Sequence, residues 1–444
     1  MTTAEVYLWG TRIGSISQEN VNDIPVFSYD RAFLNSGIQV SPLMMPLSSR
    51  EYSFPALNKE TFHTLPGLLS DSLPDRFGNR IISRYLSSQG RSIDDLTAVE
   101  RLLYTGSRGM GALEFVPAKG FIEKGDGSID INELVKLASD VLTNRENVHI
   151  KENDETMAQI LKIGTSAGGA RAKAVIAWNK ETGDIRSGQI EAGEGYQYYL
   201  LKFDDVENNK DREATPDEKP YTRIEYAYHL MASDAGISMQ PCELYRENGR
   251  YHFITKRFDR LDGGGKLHMQ SLGAMAHFDY NDPGASSYEQ AASIMNRIGI
   301  GQHEIKELFR RMVFNIMAKN NDDHVKNISF LMDRSGKWSL APAYDITYSY
   351  DPNSYWLSKH QMCIAGKREG FVRADIINAG KSMNISKNTA EDIICQVADA
   401  VEKWPQFAMQ AEVPEHRVLE IQKEIAIEED AIVSRGRKRQ IGYA

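Results

Sequence analysis

The densest set of reactive side chains in the sequence is a polar run at residues 320–327, which is Asn-Asn-Asp-Asp-His-Val-Lys-Asn. Seven of its eight residues are polar, although the segments before and after it are apolar. Asp322 and Asn327 stand five positions apart, which is the Asp-x4-Asn spacing of a kinase catalytic loop. In such a loop the Asp accepts the proton of an attacking hydroxyl and the Asn holds a magnesium ion. Such a pair also arises by chance in a long chain, so a solvated turn remains the alternative.

A second acid, Asp345, ends the segment Pro342-Ala-Tyr-Asp345 further along the chain. Hard cations prefer oxygen ligands, so Asp345 could meet Asn327 at a magnesium ion. The alternative is an Asp that caps the next turn.

Lys202 lies within the strand-like segment Tyr198-Tyr-Leu-Leu-Lys-Phe203. Burial of an unpaired ammonium is costly, so it needs a partner such as phosphate oxygens or the carboxylate of Glu225. The alternative is a lysine at a sheet edge that extends its ammonium into solvent.

A glycine-rich segment at residues 164–173, Gly-Thr-Ser-Ala-Gly-Gly-Ala-Arg-Ala-Lys, precedes these residues. Glycines let the backbone approach a ligand, and successive N–H groups can bind phosphate oxygens. A strand-like run follows it, whereas a Walker A loop opens a helix, and a plain turn is the alternative. In chain order, the four features match the parts needed for phosphoryl transfer.

The helices and strands that must position these residues are predicted to form an α+β architecture with three parts. Residues 1–120 are predicted to form an α+β subdomain that includes a hairpin around Gly10. Residues 121–260 predict a strand-rich lobe with one helix, which begins at Tyr221 and is closed by Gly236. Residues 261–444 predict a helical lobe that carries the polar run.

Composition narrows the class of protein. The chain has 444 residues, 41% of them hydrophobic, and a net charge of −9. An acidic chain is a poor direct binder of nucleic acid. Neither a signal peptide nor a membrane-spanning segment is expected. The three cysteines are far apart, which favours free thiols in the cytoplasm.

The sequence resembles the HipA family, the kinase toxins of bacterial type II toxin–antitoxin pairs. The matching segments are Leu73-Pro-Asp-Arg76, Gly111-Ala-Leu-Glu-Phe115, Ser166-Ala-Gly-Gly-Ala-Arg-Ala-Lys173, Leu201-Lys-Phe203, Lys256-Arg-Phe-Asp-Arg260, Asn321-Asp-Asp-His-Val-Lys-Asn327 and Ala341-Pro-Ala-Tyr-Asp345. The resemblance implies an atypical, bilobal protein-kinase-like fold that uses ATP and Mg²⁺. The glycine-rich segment departs from the family at Arg171-Ala-Lys173, where members often carry a Gln-Glu-Lys-like sequence.

The resemblance also implies a role for individual residues. Asp322 would be the catalytic base, and Asn327 and Asp345 the magnesium ligands. Residues 256–258 would form the hinge that faces the adenine, with Asp259 near the ribose. The residues implied to contact the nucleotide are Ser166, Ala167, Gly168, Gly169, Ala170, Lys202, Lys256, Phe258, Asp259, His324, Lys326 and Tyr344.

Ser166 falls where such kinases can phosphorylate themselves. A phosphate there would add nearly two negative charges inside an anion-binding loop. We expect this to expel the loop and switch the enzyme off.

The family implies a protein substrate among the components of translation, notably an aminoacyl-tRNA synthetase. It also implies a HipB-like helix-turn-helix antitoxin as partner. DNA would be contacted only through that antitoxin, which suits the acidic charge of the chain.

Two other interpretations remain. Gly164-Thr-Ser166-Ala-Gly168 also fits the Gly-x-Ser-x-Gly elbow of a serine hydrolase, a motif that requires a following helix. The chain could also be a non-catalytic module that keeps a kinase scaffold only to bind an antitoxin or repressor. Metal hydrolysis is poorly supported, because the sequence lacks a His-Glu-x-x-His motif.

Overall fold

The computed structural model of the chain describes residues 1–119, 130–131, 134–135, 138, 171–189, 191–204, 220–262 and 264–433. The strands in these ranges, numbered along the chain, are β1 (Thr2–Leu8), β2 (Thr11–Gln18), β3 (Val26–Tyr29), β4 (Leu113–Val116), β5 (Lys173–Trp178), β6 (Ile185–Ser187), β7 (Gln197–Lys202), β8 (Cys242–Glu247), β9 (Arg250–Lys256), β10 (His268–Ser271), β11 (Ser329–Met332) and β12 (Trp338–Leu340). The α-helices are α1 (Lys59–Phe62), α2 (Gly67–Ser70), α3 (Arg76–Ser88), α4 (Ala98–Thr105), α5 (Tyr221–Asp234), α6 (Leu272–Ala276), α7 (Tyr288–Arg297), α8 (Gln302–Met317), α9 (Arg373–Ser382), α10 (Lys387–Val401), α11 (Trp404–Gln410) and α12 (Glu415–Ile432).

The chain forms two compact units. The first unit comprises residues 1–222, 240–279 and 328–341, and the second comprises residues 223–239, 280–327 and 342–444. The predicted boundary at residue 260 therefore falls inside the first unit. Strand pairing adds residues 328–341 to the same unit, because β10 and β11 are antiparallel neighbours although they are far apart in sequence.

The amino-terminal part of the first unit contains an antiparallel sheet with strand order β3-β2-β1-β4. The predicted hairpin around Gly10 joins β1 to β2, and Gly10 has a φ of +78°, which favours glycine. Helix α4 packs against β1 and begins with a capping box. In that box the Thr97 hydroxyl accepts from the Glu100 N–H, and the Glu100 carboxylate accepts from the Thr97 N–H.

A five-stranded antiparallel sheet with strand order β6-β5-β7-β9-β8 forms the next layer of the first unit. β5 and β7 are apolar along most of their length, so both faces of these central strands are covered. Residues of α3 belong to the same buried cluster as residues of β5, β7 and β9, among them Phe77, Ile81, Ile176, Leu201 and Ile254. The amino-terminal segment and the strand-rich segment thus share one hydrophobic core.

The second unit is mainly helical, as the sequence predicts. Helix α8 packs against α7, α10 and α12. Its apolar residues Ile305, Leu308 and Met312 recur at helical spacing and are buried. The predicted helix α5 ends at Asp234, and Gly236 follows with a φ of +79°. None of the helices in the described ranges is long and apolar enough to cross a membrane.

Candidate active site

The polar run at residues 320–327 lies in the second unit, directly after helix α8. The helix ends at Met317, and Lys319 has a φ of +53°, a left-handed conformation that turns the chain out of the helical path. The backbone then pairs with the segment around Ser349, whose N–H donates to the Lys319 carbonyl at 3.0 Å. The Asn321 side-chain Nδ2 donates to the Leu357 carbonyl at 3.0 Å. The run is therefore held by a later segment of the same unit.

The two adjacent aspartates of the run have opposite environments. The Asp322 side chain is 48% exposed, whereas Asp323 is buried. Asp323 accepts a hydrogen bond from the Gln361 N–H at 2.7 Å, and its other oxygen lies 3.0 Å from His360 Nδ1. Asp323 is thus hydrogen-bonded within the protein, whereas the Asp322 carboxylate is accessible to a hydroxyl group of another molecule.

A chain of buried hydrogen bonds connects Asp323 to the helices beneath the run. The Tyr288 hydroxyl of α7 donates to Asp323 at 2.9 Å, and Asn315 Nδ2 of α8 donates to the Tyr288 oxygen at 2.9 Å. Asn320 Nδ2 in turn donates to Asn315 Oδ1 at 2.9 Å. Burial, together with the nearby Asp323, holds the pKa of Tyr288 well above its usual value, so its hydroxyl remains a donor. This network fixes the position of the run from below.

The sequence predicts Asp322 as a functional residue but gives no role to Tyr288, Asn315, His360 or Asp323. Tyr288 and Asn315 lie within helical apolar patterns, where they are indistinguishable from ordinary core and surface residues. Only the adjacency of Asp323 to Asp322 could have drawn attention to it.

The two predicted magnesium ligands lie on neighbouring segments. The Tyr344 hydroxyl donates to the Lys326 carbonyl, so the residue before Asp345 is joined to the residue before Asn327. Asp345 has a φ of +52°, an uncommon conformation for a residue other than glycine. Strained backbone of this kind clusters at functional sites.

The side chain of Asn327 is oriented by the run itself. Its Nδ2 donates to the Asp322 carbonyl at 2.8 Å, which leaves Oδ1 as the atom available to a cation. The buried oxygens Asn320 Oδ1 and Asn321 Oδ1 have no hydrogen-bond partner among the described residues. Buried acceptors of this kind normally bind water or an ion. Magnesium prefers oxygen ligands, so the Asn327 amide and the Asp345 carboxylate fit that ion by donor type.

Two further predicted site residues flank the run on the side of Tyr280. His324 Nε2 lies 3.9 Å from Asp322 Oδ1, and its ring packs against the Tyr280 ring with centroids 5.9 Å apart. The Lys326 ammonium lies 4.7 Å from the centre of the same ring, a cation–π contact. The side chains of His324 and Lys326 are therefore both held close to Tyr280, next to the run.

No group of three or more histidine, cysteine, aspartate or glutamate side chains in the described ranges is arranged to hold a metal ion. A magnesium site built from one asparagine, one aspartate and substrate phosphates would not form such a group.

The remaining predicted residues belong to the first unit. Lys202 ends β7, opposite Lys173 of β5 and Phe253 of β9. Its ammonium lies 5.8 Å from the centre of the Phe253 ring. The segment that contains Ser166, Ala167, Gly168, Gly169 and Ala170 lies outside the described residues. The chain that follows it forms strand β5, whereas a hydrolase elbow would require a helix there.

The predicted hinge follows strand β9. Lys256 forms an ion pair with Asp262 at 3.1 Å, and the Arg257 N–H donates to the Tyr198 carbonyl at 2.8 Å. Phe258 is half-buried. This backbone hydrogen bond to β7 attaches the predicted hinge to the five-stranded sheet.

Asp259 is completely buried and bound within the protein. It accepts from Arg257 at 2.6 Å, from Arg260 at 2.8 Å and from the Gly111 N–H at 2.7 Å. Burial alone would raise the pKa of Asp259, but the two guanidinium groups outweigh burial and hold that pKa well below its usual value. A role for Asp259 at a ribose stays a prediction, and it would require this network to open.

Comparisons with known proteins agree with the resemblance seen in the sequence. The model of the HipA N-terminal domain matches residues 4–116, and that of the HipA-like C-terminal domain matches residues 165–404. A Haemophilus influenzae protein named "Putative kinase" is 25% identical over 248 residues, which cover 49% of this chain and 72% of that protein. The Sinorhizobium fredii protein "Putative kinase Y4mE" is 25% identical over 189 residues, which cover 38% of this chain and 44% of that protein.

Among solved structures, the chain is similar to HipA from Shewanella oneidensis MR-1 in its complex with HipB and operator DNA. The TM-score is 0.67 at 16% sequence identity, and the match covers 97% of each chain. At this identity the likeness establishes a shared fold.

Proposed function

Because this chain belongs to the HipA family, we propose that it is an ATP- and magnesium-dependent serine/threonine-protein kinase, the toxin of a toxin–antitoxin pair. The observation that carries the proposal is the contact between the Tyr344 hydroxyl and the Lys326 carbonyl. It joins the segments of Asn327 and Asp345 in the unit that also presents the exposed carboxylate of Asp322.

In the proposed reaction, Asp322 accepts the proton of the acceptor hydroxyl as that oxygen attacks the terminal phosphorus of ATP. The bond from that phosphorus to the bridging oxygen breaks, and ADP leaves. Asn327 and Asp345 supply oxygen ligands for magnesium. Magnesium, when bound with the nucleotide, would neutralise the charge that develops on the phosphoryl oxygens. Lys326 and Lys202 would add positive charge around the phosphates, and His324 would border them.

Asp323 has a different part in the proposed reaction. It is buried and fixed by Tyr288, His360 and Gln361. It therefore holds the backbone of the run, so that Asp322 keeps one position while its side chain stays reachable.

Phosphoryl transfer is tested with the purified full-length chain, ATP, Mg²⁺ and a bacterial lysate, with phosphorylated residues identified by mass spectrometry. We expect phosphoserine or phosphothreonine on a translation component, such as an aminoacyl-tRNA synthetase, and on Ser166 of the chain itself. Asp345→Asn should abolish both signals, whereas Asp392→Asn, on the exposed face of α10, should leave them unchanged. Nucleotide binding without any transfer by the unmodified chain would contradict the proposal and favour the non-catalytic module.

We further propose a HipB-like helix-turn-helix antitoxin as partner, with DNA bound only through it. Support comes from the Shewanella oneidensis HipA of similar fold, which was solved with HipB and its operator DNA. Expression of the chain alone should arrest bacterial growth, and co-expression of a helix-turn-helix protein encoded beside it should restore growth. Growth arrest by Asp322→Asn equal to that of the unmodified chain would separate toxicity from catalysis.

A further inference from the structure

An ion pair between Asp75 and Lys173 is buried in the first unit. The Lys173 ammonium lies 3.5 Å from Asp75 Oδ2, and the two side chains are 4% and 3% exposed. Asp75 also caps helix α3, because its Oδ1 accepts from the Gly78 N–H at 2.6 Å. Buried ion pairs add little net stability, since desolvation offsets the attraction, and their best-attested use is to fix the register of neighbouring elements.

The pair lies at a place where register matters. Lys173 is the first residue of β5, and its Cα partner on β7 is Lys202. The residues just before it are also fixed, because the Ala172 carbonyl accepts from the Phe203 N–H at 3.2 Å and the Arg171 guanidinium stacks on the Tyr221 ring at 3.8 Å. The start of β5 is therefore anchored directly opposite the lysine proposed to contact phosphate.

The apolar contact between α3 and the sheet cannot by itself define where β5 starts relative to α3. Phe77 and Ile81 of α3 share a buried cluster with Ala174 of β5 and Leu201 of β7. Hydrophobic contact is non-directional, so it holds the layers together without fixing one residue opposite another. The ion pair between Asp75 and Lys173 supplies a directional constraint between α3 and β5, because leaving a buried charge unpaired is costly.

We propose that Asp75 is a positioning residue for nucleotide binding: through Lys173 it fixes the start of β5 against α3, and the pairing of Lys173 with Lys202 across β5 and β7 then aligns Lys202. The inference rests on the proposed kinase function, because it assigns the phosphates of ATP to Lys202. The amino-terminal domain then contributes to nucleotide affinity through a residue in its own helix cap.

A double-mutant cycle in the full-length chain tests the pair, with a non-hydrolysable ATP analogue and Mg²⁺ as the probe. Asp75→Asn removes the charge and keeps an oxygen that can cap α3. We expect Asp75→Asn and Lys173→Gln each to raise the Kd of the analogue about tenfold, and the double variant to raise it no further, since the two groups act as one unit. The double variant removes both charges of the pair, so its Kd remains a test if a single variant does not fold. Glu243→Gln, which removes the exposed partner of Lys180 beside the same sheet, is the control and should leave the Kd unchanged.

Hydrogen exchange of the nucleotide-free chain supplies a measurement that does not depend on ATP. Amides of β5 and β7 should exchange faster in Asp75→Asn than in Glu243→Gln. Unchanged exchange in Asp75→Asn, or losses of affinity that multiply in the double variant, would overturn the positioning role. If the unmodified chain binds no nucleotide, the proposed function fails, while the exchange measurement still decides whether the pair fixes the strands.

Discussion

Two short charged segments, residues 256–260 in the first unit and residues 320–327 in the second, look alike in sequence but differ in structure. Both contain acids beside cationic residues, and both follow an apolar element. In the first, Asp259 is buried between Arg257 and Arg260, and its oxygens are occupied. In the second, one aspartate is buried in a similar way and its neighbour Asp322 is left half exposed.

The difference shows that a cluster of charged residues indicates a functional site only when one of its side chains remains accessible to solvent. Asp259 and Asp323 organise backbone, because buried carboxylates need several donors. The Asp322 side chain is half exposed and therefore accessible to an external partner, whereas Asp323 performs the structural task.

The largest expected effect comes from Asp322→Asn. General-base catalysis contributes about 10²–10⁴-fold to rate, so kcat for phosphoryl transfer should fall by that amount. Because the side chain is half exposed, the free energy of unfolding should change by less than about 0.5 kcal/mol. Steady-state kinetics and urea unfolding measure the two quantities, and a variant that unfolds more easily would place Asp322 with the structural acids.

Asp259→Ala should show the opposite profile. Removal of one partner from a buried ion pair costs about 3–5 kcal/mol, because the guanidinium groups of Arg257 and Arg260 would be left without their anion. Urea unfolding should detect this loss, and activity per folded molecule should change less than in Asp322→Asn. A stability equal to that of the unmodified chain would mean that the network is not structural.

The pH dependence of stability sharpens the same comparison. The pKa of Asp259 is lower in the folded chain than in the unfolded one. Its contribution is therefore complete above the unfolded pKa of about 3.9, and it is lost as the pH falls below that value. Thermal unfolding between pH 5 and pH 2 should show a shallower loss of stability in Asp259→Ala than in the unmodified chain.

Tyr288→Phe should have an intermediate effect within the second unit. The change removes the donor to Asp323 and the acceptor for Asn315. An unsatisfied buried partner costs about 1–3 kcal/mol. We expect kcat to fall less than in Asp322→Asn and KM for ATP to stay unchanged, which combined unfolding and kinetic measurements would reveal. An effect on KM alone would indicate that Tyr288 acts on nucleotide binding.

The smallest effect is expected for Asp262→Asn beside the hinge. Asp262 pairs with Lys256, but its side chain is 71% exposed. Exposed ion pairs contribute about 0–1 kcal/mol. Urea unfolding should show a change in the free energy of unfolding near the limit of measurement. A loss comparable to that of Asp259→Ala would mean that exposed and buried acids near the hinge contribute equally to stability.

Much of the fold follows from the sequence because local patterns determine it. Apolar strand-like runs predicted β5 and β7, and helical spacing with Gly236 at its end predicted α5. The division into units was not predictable, because the pairing of β10 with β11 joins segments far apart in the chain. The polar run could also be recognised from the sequence, because the spacing of Asp322 and Asn327 is a local feature of the chain.

The sequence by itself determined which residues are chemically competent and which family they resemble, because residue type and spacing are properties of the linear chain. Only the tertiary structure decided what each charge does. Asp322 and Asp323 are adjacent and identical in type, and they differ because Tyr288, His360 and Gln361 converge on one of them from distant positions. Asp75 and Lys173 form a buried pair only because α3 packs on β5 and brings residues far apart in the sequence together.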